Sequence, residues 1–284
     1  MTSPDTAAAE TPARTTRPRA QITLEVLRKE QLSPHMVRII AGGPELAKFE
    51  AKDATDMYVK IHFLRPDVEY AEPVDVFALR EVMPREHWSV TRTYTVRWIN
   101  MAAKEIAIDF VVHGESGLAG PWAAAAAPGE RIIFVGPGGA YKPNPDADWH
   151  LFVGDESALP AIACALESLP NDARGHAYIE ADTAADIQPM AKPDGVELTW
   201  VFRNGTAPDK CTLLLDAVTN GAWPAGTVDA FVHGERECMK ALRDLLFKQR
   251  GLERSQVSLS GYWAYGRNED NFQAEKREPI GKIL

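Results

Sequence analysis

No apolar run in the 284-residue chain approaches the roughly 20 residues that a membrane-spanning helix needs, and so no membrane role is expected. Cysteine is scarce. Cys164, Cys211 and Cys238 are far apart and form no CxxC pair, which predicts reduced thiols in or near the core and no metal site. Cations are outnumbered, with 31 Lys and Arg against 40 Asp and Glu for a net charge of -9. That balance argues against a general polyanion binder, nucleic acid included, while leaving room for a local basic cleft. The signatures of common hydrolases are missing as well: there is no GxSxG elbow, no HExxH and no phosphate-binding P-loop. The segment from Met1 to about Ala20 lacks the apolar stretch of a secretory signal and reads as a disordered arm (residues 1–20), with a cytoplasmic location as the default.

What remains is an ordinary folded composition, 45% hydrophobic and 25% charged, divided into two rhythms. Over residues 21–143, short β-like runs alternate with turn residues: Ile22 to Leu27, Met36 to Ile40, Tyr58 to Leu64, Arg92 to Ile99, Glu105 to His113 and Arg131 to Val135. Six such strands predict a closed antiparallel barrel. In the third, Val59, Ile61 and Phe63 are expected to point inward and Lys60 and His62 outward. The proline-rich stretch from Leu64 to Trp88 carries no assignable pattern. Over residues 149–284, strands alternate with helices (strands at 150–153, 176–180, 196–202, 230–233 and 257–263; helices at 157–169, 212–220 and 236–250), which predicts a parallel sheet with crossovers. Ser157 is the expected N-cap of the first helix, with Pro160 in its first turn.

Three segments carry candidate chemistry. Arg92-Thr93-Tyr94-Thr95-Val96-Arg97 puts two guanidinium groups, an aromatic ring and hydroxyls on one strand. A twist or kink would let both faces reach one ligand. Arginine forks suit phosphate oxygens and a tyrosine ring suits a flat heterocycle, which describes a socket for a flavin nucleotide. A solvated edge strand fits the spacing equally well. Next, His113-Gly114-Glu115-Ser116-Gly117-Leu118-Ala119-Gly120-Pro121-Trp122 has small residues that allow close backbone approach and amides at a helix start that suit a pyrophosphate. A glycine-rich turn capping a short structural helix is the competing reading. Third, Gly154-Asp155-Glu156-Ser157 follows the first strand of the second half, where a parallel sheet presents ligands such as a nicotinamide dinucleotide.

Taken in order with the closing Gly261-Tyr262-Trp263, these motifs resemble those of the siderophore-interacting proteins, flavin-dependent ferric-siderophore reductases related to ferredoxin reductases. The resemblance implies an FAD-binding β-barrel domain (21–143) followed by an α/β NAD(P)H-binding domain (149–284). It implies electron transfer from NADH or NADPH, or from ferredoxin in their place, through FAD to a ferric siderophore, releasing Fe(II). Mapped onto this chain, it makes Tyr94 and Thr95 catalytic, beside the isoalloxazine and its reactive edge. Arg92, Thr93 and Arg97 join them in cofactor binding. His113, Gly114, Gly117, Ala119, Gly120 and Trp122 map to the pyrophosphate region, and Asp155, Glu156 and Ser157 to the flavin and nicotinamide interface. Lys60 maps to a basic position that receives the anionic chelate. Ala264 stands where an arginine is usual in the family, with Arg267, Lys276 and Arg277 as nearby substitutes. Two other functions fit the motifs: a flavin reductase for another acceptor, and a siderophore-binding module without catalysis.

Overall fold

A computed structural model gives the fold of residues 20–114, 117–208 and 211–284; apart from Ala20, the expected arm falls outside these described residues. Six antiparallel strands, β1 Gln21–Ser33, β2 Met36–Gly42, β3 Tyr58–Phe63, β4 Val90–Asn100, β5 Glu105–Val111 and β6 Arg131–Gly138, close into a barrel in the order β1-β2-β5-β4-β3-β6. Alternation dictates the interior. Ile22, Leu24 and Val26 from β1, Val59 and Ile61 from β3, and Ile106, Ile108 and Phe110 from β5 are all buried in one core. Closure leaves no strand edge to pair elsewhere.

His62 departs from the outward position expected of it: it is buried, and its Nδ1 lies 2.9 Å from Ser89 Oγ. The cause is the stretch between β3 and β4, which folds over the barrel's outer face. Its Val74, Val76 and Leu79, the last opening α1 (Leu79–Val82), pack on Ile133 and Val135 of β6. A further short helix, α2 (Ala119–Ala125), buries Ala119 and Ala123 in the barrel core.

The second half is a five-stranded parallel sheet in the order β11-β10-β7-β8-β9. In chain order it runs β7 Trp149–Gly154, α3 Leu159–Ser168, β8 Gly175–Ala181, β9 Val196–Phe202, α4 Thr212–Asn220, β10 Val228–Glu235, α5 Arg236–Asp244, β11 Val257–Trp263 and α6 Glu269–Glu275. β7 and β10 are buried along their whole length, as strands covered on both faces must be. Phe152, Ile162, Leu166 and Phe231 form one of the flanking cores, and Val153, Val232, Leu214, Met239 and Leu242 the other.

Two sequence expectations are corrected here. Ser157 is not the N-cap of α3; the helix starts later, and the Ser157 amide and hydroxyl instead donate to Asp155 Oδ1 at 2.9 and 2.5 Å. Cys211 and Cys238 are not reduced thiols but a disulfide, leaving Cys164 free. The pairing spans 27 positions and arises because the starts of α4 and α5 pack together on one face of the sheet, a proximity that spacing does not encode.

The two halves are joined by buried polar contacts. Asp186 accepts from Ser33 Oγ and the His35 amide at 3.1 and 3.2 Å. The Tyr141 hydroxyl donates to Asp229 Oδ2 at 2.8 Å.

Candidate functional site

Between barrel and sheet lies a cavity of about 1030 Å³, at the upper end of the roughly 300–1,000 Å³ typical of small-molecule sites. β3 and β4 build its barrel wall. Their register sets Thr93 opposite Lys60, Tyr94 opposite Val59 and Thr95 opposite Tyr58, and Thr93, Tyr94, Thr95 and Lys60 all line the cavity. The register of β4 against β5 is irregular between Val96 and Trp98, the kind of kink that lets consecutive residues reach one space. Tyr94 is braced from behind by Phe110, ring centroids 4.3 Å apart, and burial raises its phenol pKa. Its ring is thus fixed by the barrel core while it borders the cavity.

The arginines of this strand are placed differently. Arg97 makes a two-pronged ion pair with Glu167 on α3, its Nη1 2.8 Å from Oε2, and Arg92 Nη1 lies 3.3 Å from Asp270 Oδ1 on α6. Neither is among the cavity-lining residues. From the His-Gly segment, His113 borders the cavity; burial lowers its pKa, with the Glu156 charge opposing. Gly114 and Gly117 have φ of 58° and 87°, and a side chain at either would meet open space, so the left-handed backbone calls for glycine there. Glu115 and Ser116 lie outside the described residues. Gly120 has a packing reason, since a Cβ there would stand 3.0 Å from the Val111 carbonyl oxygen. Ala119 is buried in the barrel core, and Trp122 packs there against Phe63 and Phe110, centroids 5.5 Å apart in each case.

The opposite wall is made by the carboxyl ends of the parallel strands. The order reverses between β10 and β7, and such a switch point is where open α/β sheets bind ligands. Asp155, Glu156 and Ser157 follow β7 there and line the cavity. Asp155 is buried and accepts from the Glu235 amide at 2.9 Å and from Trp263 Nε1 at 2.8 Å. Burial raises its pKa, and the Glu156 charge adds to the effect. Glu156 is held by Arg203 in a bidentate pair of 2.6 and 2.8 Å. The same guanidinium reaches Glu180 Oε1 at 3.2 Å, and burial pushes the Glu180 carboxyl up to about 7.

Sequence reasoning missed Arg203, Asp182 and His233, all of which line the cavity. Arg203 and Asp182 stand just past β9 and β8, and His233 stands in β10 at the register of Gly154, so the strand-end rule alone could have found them. His233 Nδ1 is buried with no hydrogen-bond partner among the described residues. A buried polar atom of this kind calls for a bound partner. Lys276 of the carboxyl-terminal segment also lines the cavity. Partial burial lowers its ammonium pKa, Glu269 opposes, and nearby Lys60 lowers it further. Ala264 is buried, and Arg267 is committed to Glu275 at 2.6 Å.

The cavity is of small-molecule size and runs from Tyr94 to the strand ends of the sheet. Comparisons with known proteins agree in kind. Residues 25–141 match the family model of the siderophore-interacting FAD-binding domain, and residues 147–266 that of the siderophore-interacting protein. An uncharacterised Mycobacterium tuberculosis protein is 44% identical over 89% of this chain and 94% of its own length. The ferric vibriobactin reductase ViuB of Vibrio cholerae is 32% identical, covering 89% and 93%. The NADPH-dependent ferric-chelate reductase of Escherichia coli is 29% identical, covering 84% and 91%. Among solved structures, a siderophore utilization protein from T. fusca superposes with a TM-score of 0.76 at 35% identity, covering 89% of this chain and 95% of that one.

Proposed function

The chain belongs to the siderophore-interacting protein family, and we propose that it is a flavin-dependent reductase taking electrons from NAD(P)H to a ferric siderophore, whose iron leaves as Fe(II). The observation that carries this reading is the single cavity in which Thr93, Tyr94 and Thr95 face the strand ends of a parallel sheet with Lys60 and Lys276 at the same space. FAD, when bound, supplies the conversion between two-electron and one-electron chemistry. Tyr94 and Thr95 would hold its ring system, and His113 at the cavity, with Gly114, Gly117 and Gly120 of the same segment, would be on the side of its phosphates. Arg92 and Arg97, engaged with Asp270 and Glu167, hold β4 against α6 and α3 and so set the position of the residues between them. Asp155, Glu156 and Ser157 shape the entry for the donor.

Lys60 and Lys276 offer local positive potential to an anionic chelate despite the acidic balance of the whole chain. An anion beside them offsets the burial, and with it the Lys60 charge, that lower the Lys276 pKa. The protein needs no iron ligands of its own, because hard oxygen donors hold Fe(III) far more tightly than Fe(II), so that reduction itself loosens the metal.

The test is anaerobic. Protein reconstituted with FAD is bleached by NAD(P)H and then mixed with ferric chelates in the presence of an Fe(II) indicator. Recovery of the flavin colour with indicator development supports the proposal. A protein that stays colourless with added FAD is the binding module instead, and a reduced flavin that no ferric chelate reoxidises points to another acceptor. Lys60→Ala should raise KM for anionic chelates several-fold while leaving flavin content unchanged; unchanged kinetics removes Lys60 from the substrate site.

A further inference from the structure

We infer that the donor end of the cavity selects NADH over NADPH, with Asp182 taking the ribose 2′-hydroxyl at a place where a 2′-phosphate would instead meet its carboxylate. The inference rests on the nicotinamide reading above and deepens it.

In sheets that carry a Gly-rich dinucleotide turn, an acid about 20 residues further on accepts from the ribose 2′-hydroxyl, whereas an arginine nearby accommodates a 2′-phosphate. This chain has Gly154-Asp155-Glu156-Ser157 in place of that turn and shares with such sheets an acid at the end of the next strand. The second strand of this sheet in sequence is β8, and it ends Glu180-Ala181, with Asp182 next and facing the cavity alongside Arg203, Gly205 and Thr206. Asp182 is oriented: its Oδ1 accepts from the Gly205 amide at 2.9 Å, and its backbone carbonyl accepts from the Asn204 amide at 2.8 Å. Among the described residues Oδ2 has no donor and is left as an acceptor for a hydroxyl.

Arg203 is the lining cation at this wall among the described residues, and it is committed. Both of its terminal nitrogens donate to Glu156, and one is shared with Glu180. All three side chains are below 10% exposed. Pulling the guanidinium away toward a phosphate would strand two carboxylates in a buried setting, which is costly. Leaving it in place, paired with Glu156, makes a dianion face the Asp182 carboxylate with no uncommitted lining cation at this wall among the described residues, and Glu180 adds to that charge once it ionises. A ribose hydroxyl carries no charge and simply donates to Asp182.

Full-length, FAD-loaded protein is titrated calorimetrically with ADP-ribose and with 2′-phospho-ADP-ribose, redox-inert probes of this end of the cavity. Flavin reduction by NADH and by NADPH is followed in parallel. ADP-ribose should bind about tenfold or more tightly than its phosphorylated analogue, with kcat/KM favouring NADH by a similar factor, as like-charge juxtaposition implies. Asp182→Ser should narrow both ratios, mainly through a higher KM for NADH, and Asp182→Glu should restore them; a purely structural role would change activity without moving the ratio. Equal or better use of NADPH by the wild-type protein overturns this inference alone. If the protein holds FAD yet neither nucleotide binds or reduces it, the donor assignment falls and this inference with it.

Discussion

Tyr94 shows how one side chain serves both packing and chemistry: Phe110 fixes its ring from the core side, and the cavity meets it on the other. Tyr94→Ala should therefore weaken FAD binding at least about tenfold and cost about 3 kcal/mol of stability, whereas Tyr94→Phe should retain most of both, as read by flavin-fluorescence titration and urea unfolding. Two buried histidines give a second prediction at this scale. Burial lowers the pKa of His62 to about 4, with Arg80 and Lys60 adding to it, and burial lowers that of His233 to about 3. Their unfolded values lie near 6.5. As pH falls below that, the unfolded chain takes up protons before the folded one, so stability is full above about pH 6.5 and drains away toward pH 4 and 3. His62→Gln should recover up to about 3 kcal/mol of the loss between pH 6.5 and 4, measured by urea unfolding at both ends.

At the scale of elements, Asp155 draws three strand ends together. Its carboxylate accepts from Ser157 after β7, from the Glu235 amide at the end of β10 and from Trp263 at the end of β11. Asp155→Ala would leave the Glu235 amide and Trp263 Nε1 without their acceptor, a cost of about 3 kcal/mol from two orphaned donors. Chemical denaturation should register that loss, along with a shift in tryptophan emission as Trp263 is released. The disulfide makes a separate prediction: alkylation of the unfolded protein without reductant should modify Cys164 alone. Mass spectrometry showing three modified cysteines would contradict the Cys211–Cys238 pairing.

For the whole molecule, the site exists only where barrel and sheet meet, so filling it should stabilise both. FAD at a hundredfold excess over its Kd contributes about 2.7 kcal/mol, which in a protein of this size raises Tm by several degrees. Calorimetry with and without FAD tests this, and a Tm that does not move with FAD concentration would count against flavin binding at the domain junction.

The sequence by itself determined the architecture. Period-two alternation specified barrel strands such as β3, and near-continuous apolar runs broken by helices specified a parallel sheet, because each pattern has one way to bury its apolar residues. It also marked Tyr94, Thr95, Asp155 and Glu156, which the fold brings to one cavity from positions some 60 residues apart in the chain. Tertiary structure alone decided which charges are spent and which face a ligand. Arg97 and Arg203 look alike as letters, yet one ties β4 to α3 and the other is neutralised beside the cavity by Glu156 and Glu180. Burial of His62 under the 64–88 stretch, the partnering of Cys211 with Cys238 and the approach of Lys276 to Lys60 were equally hidden. Each depends on distances between remote segments, and these are set by how elements pack across the chain, about which local pattern carries no information.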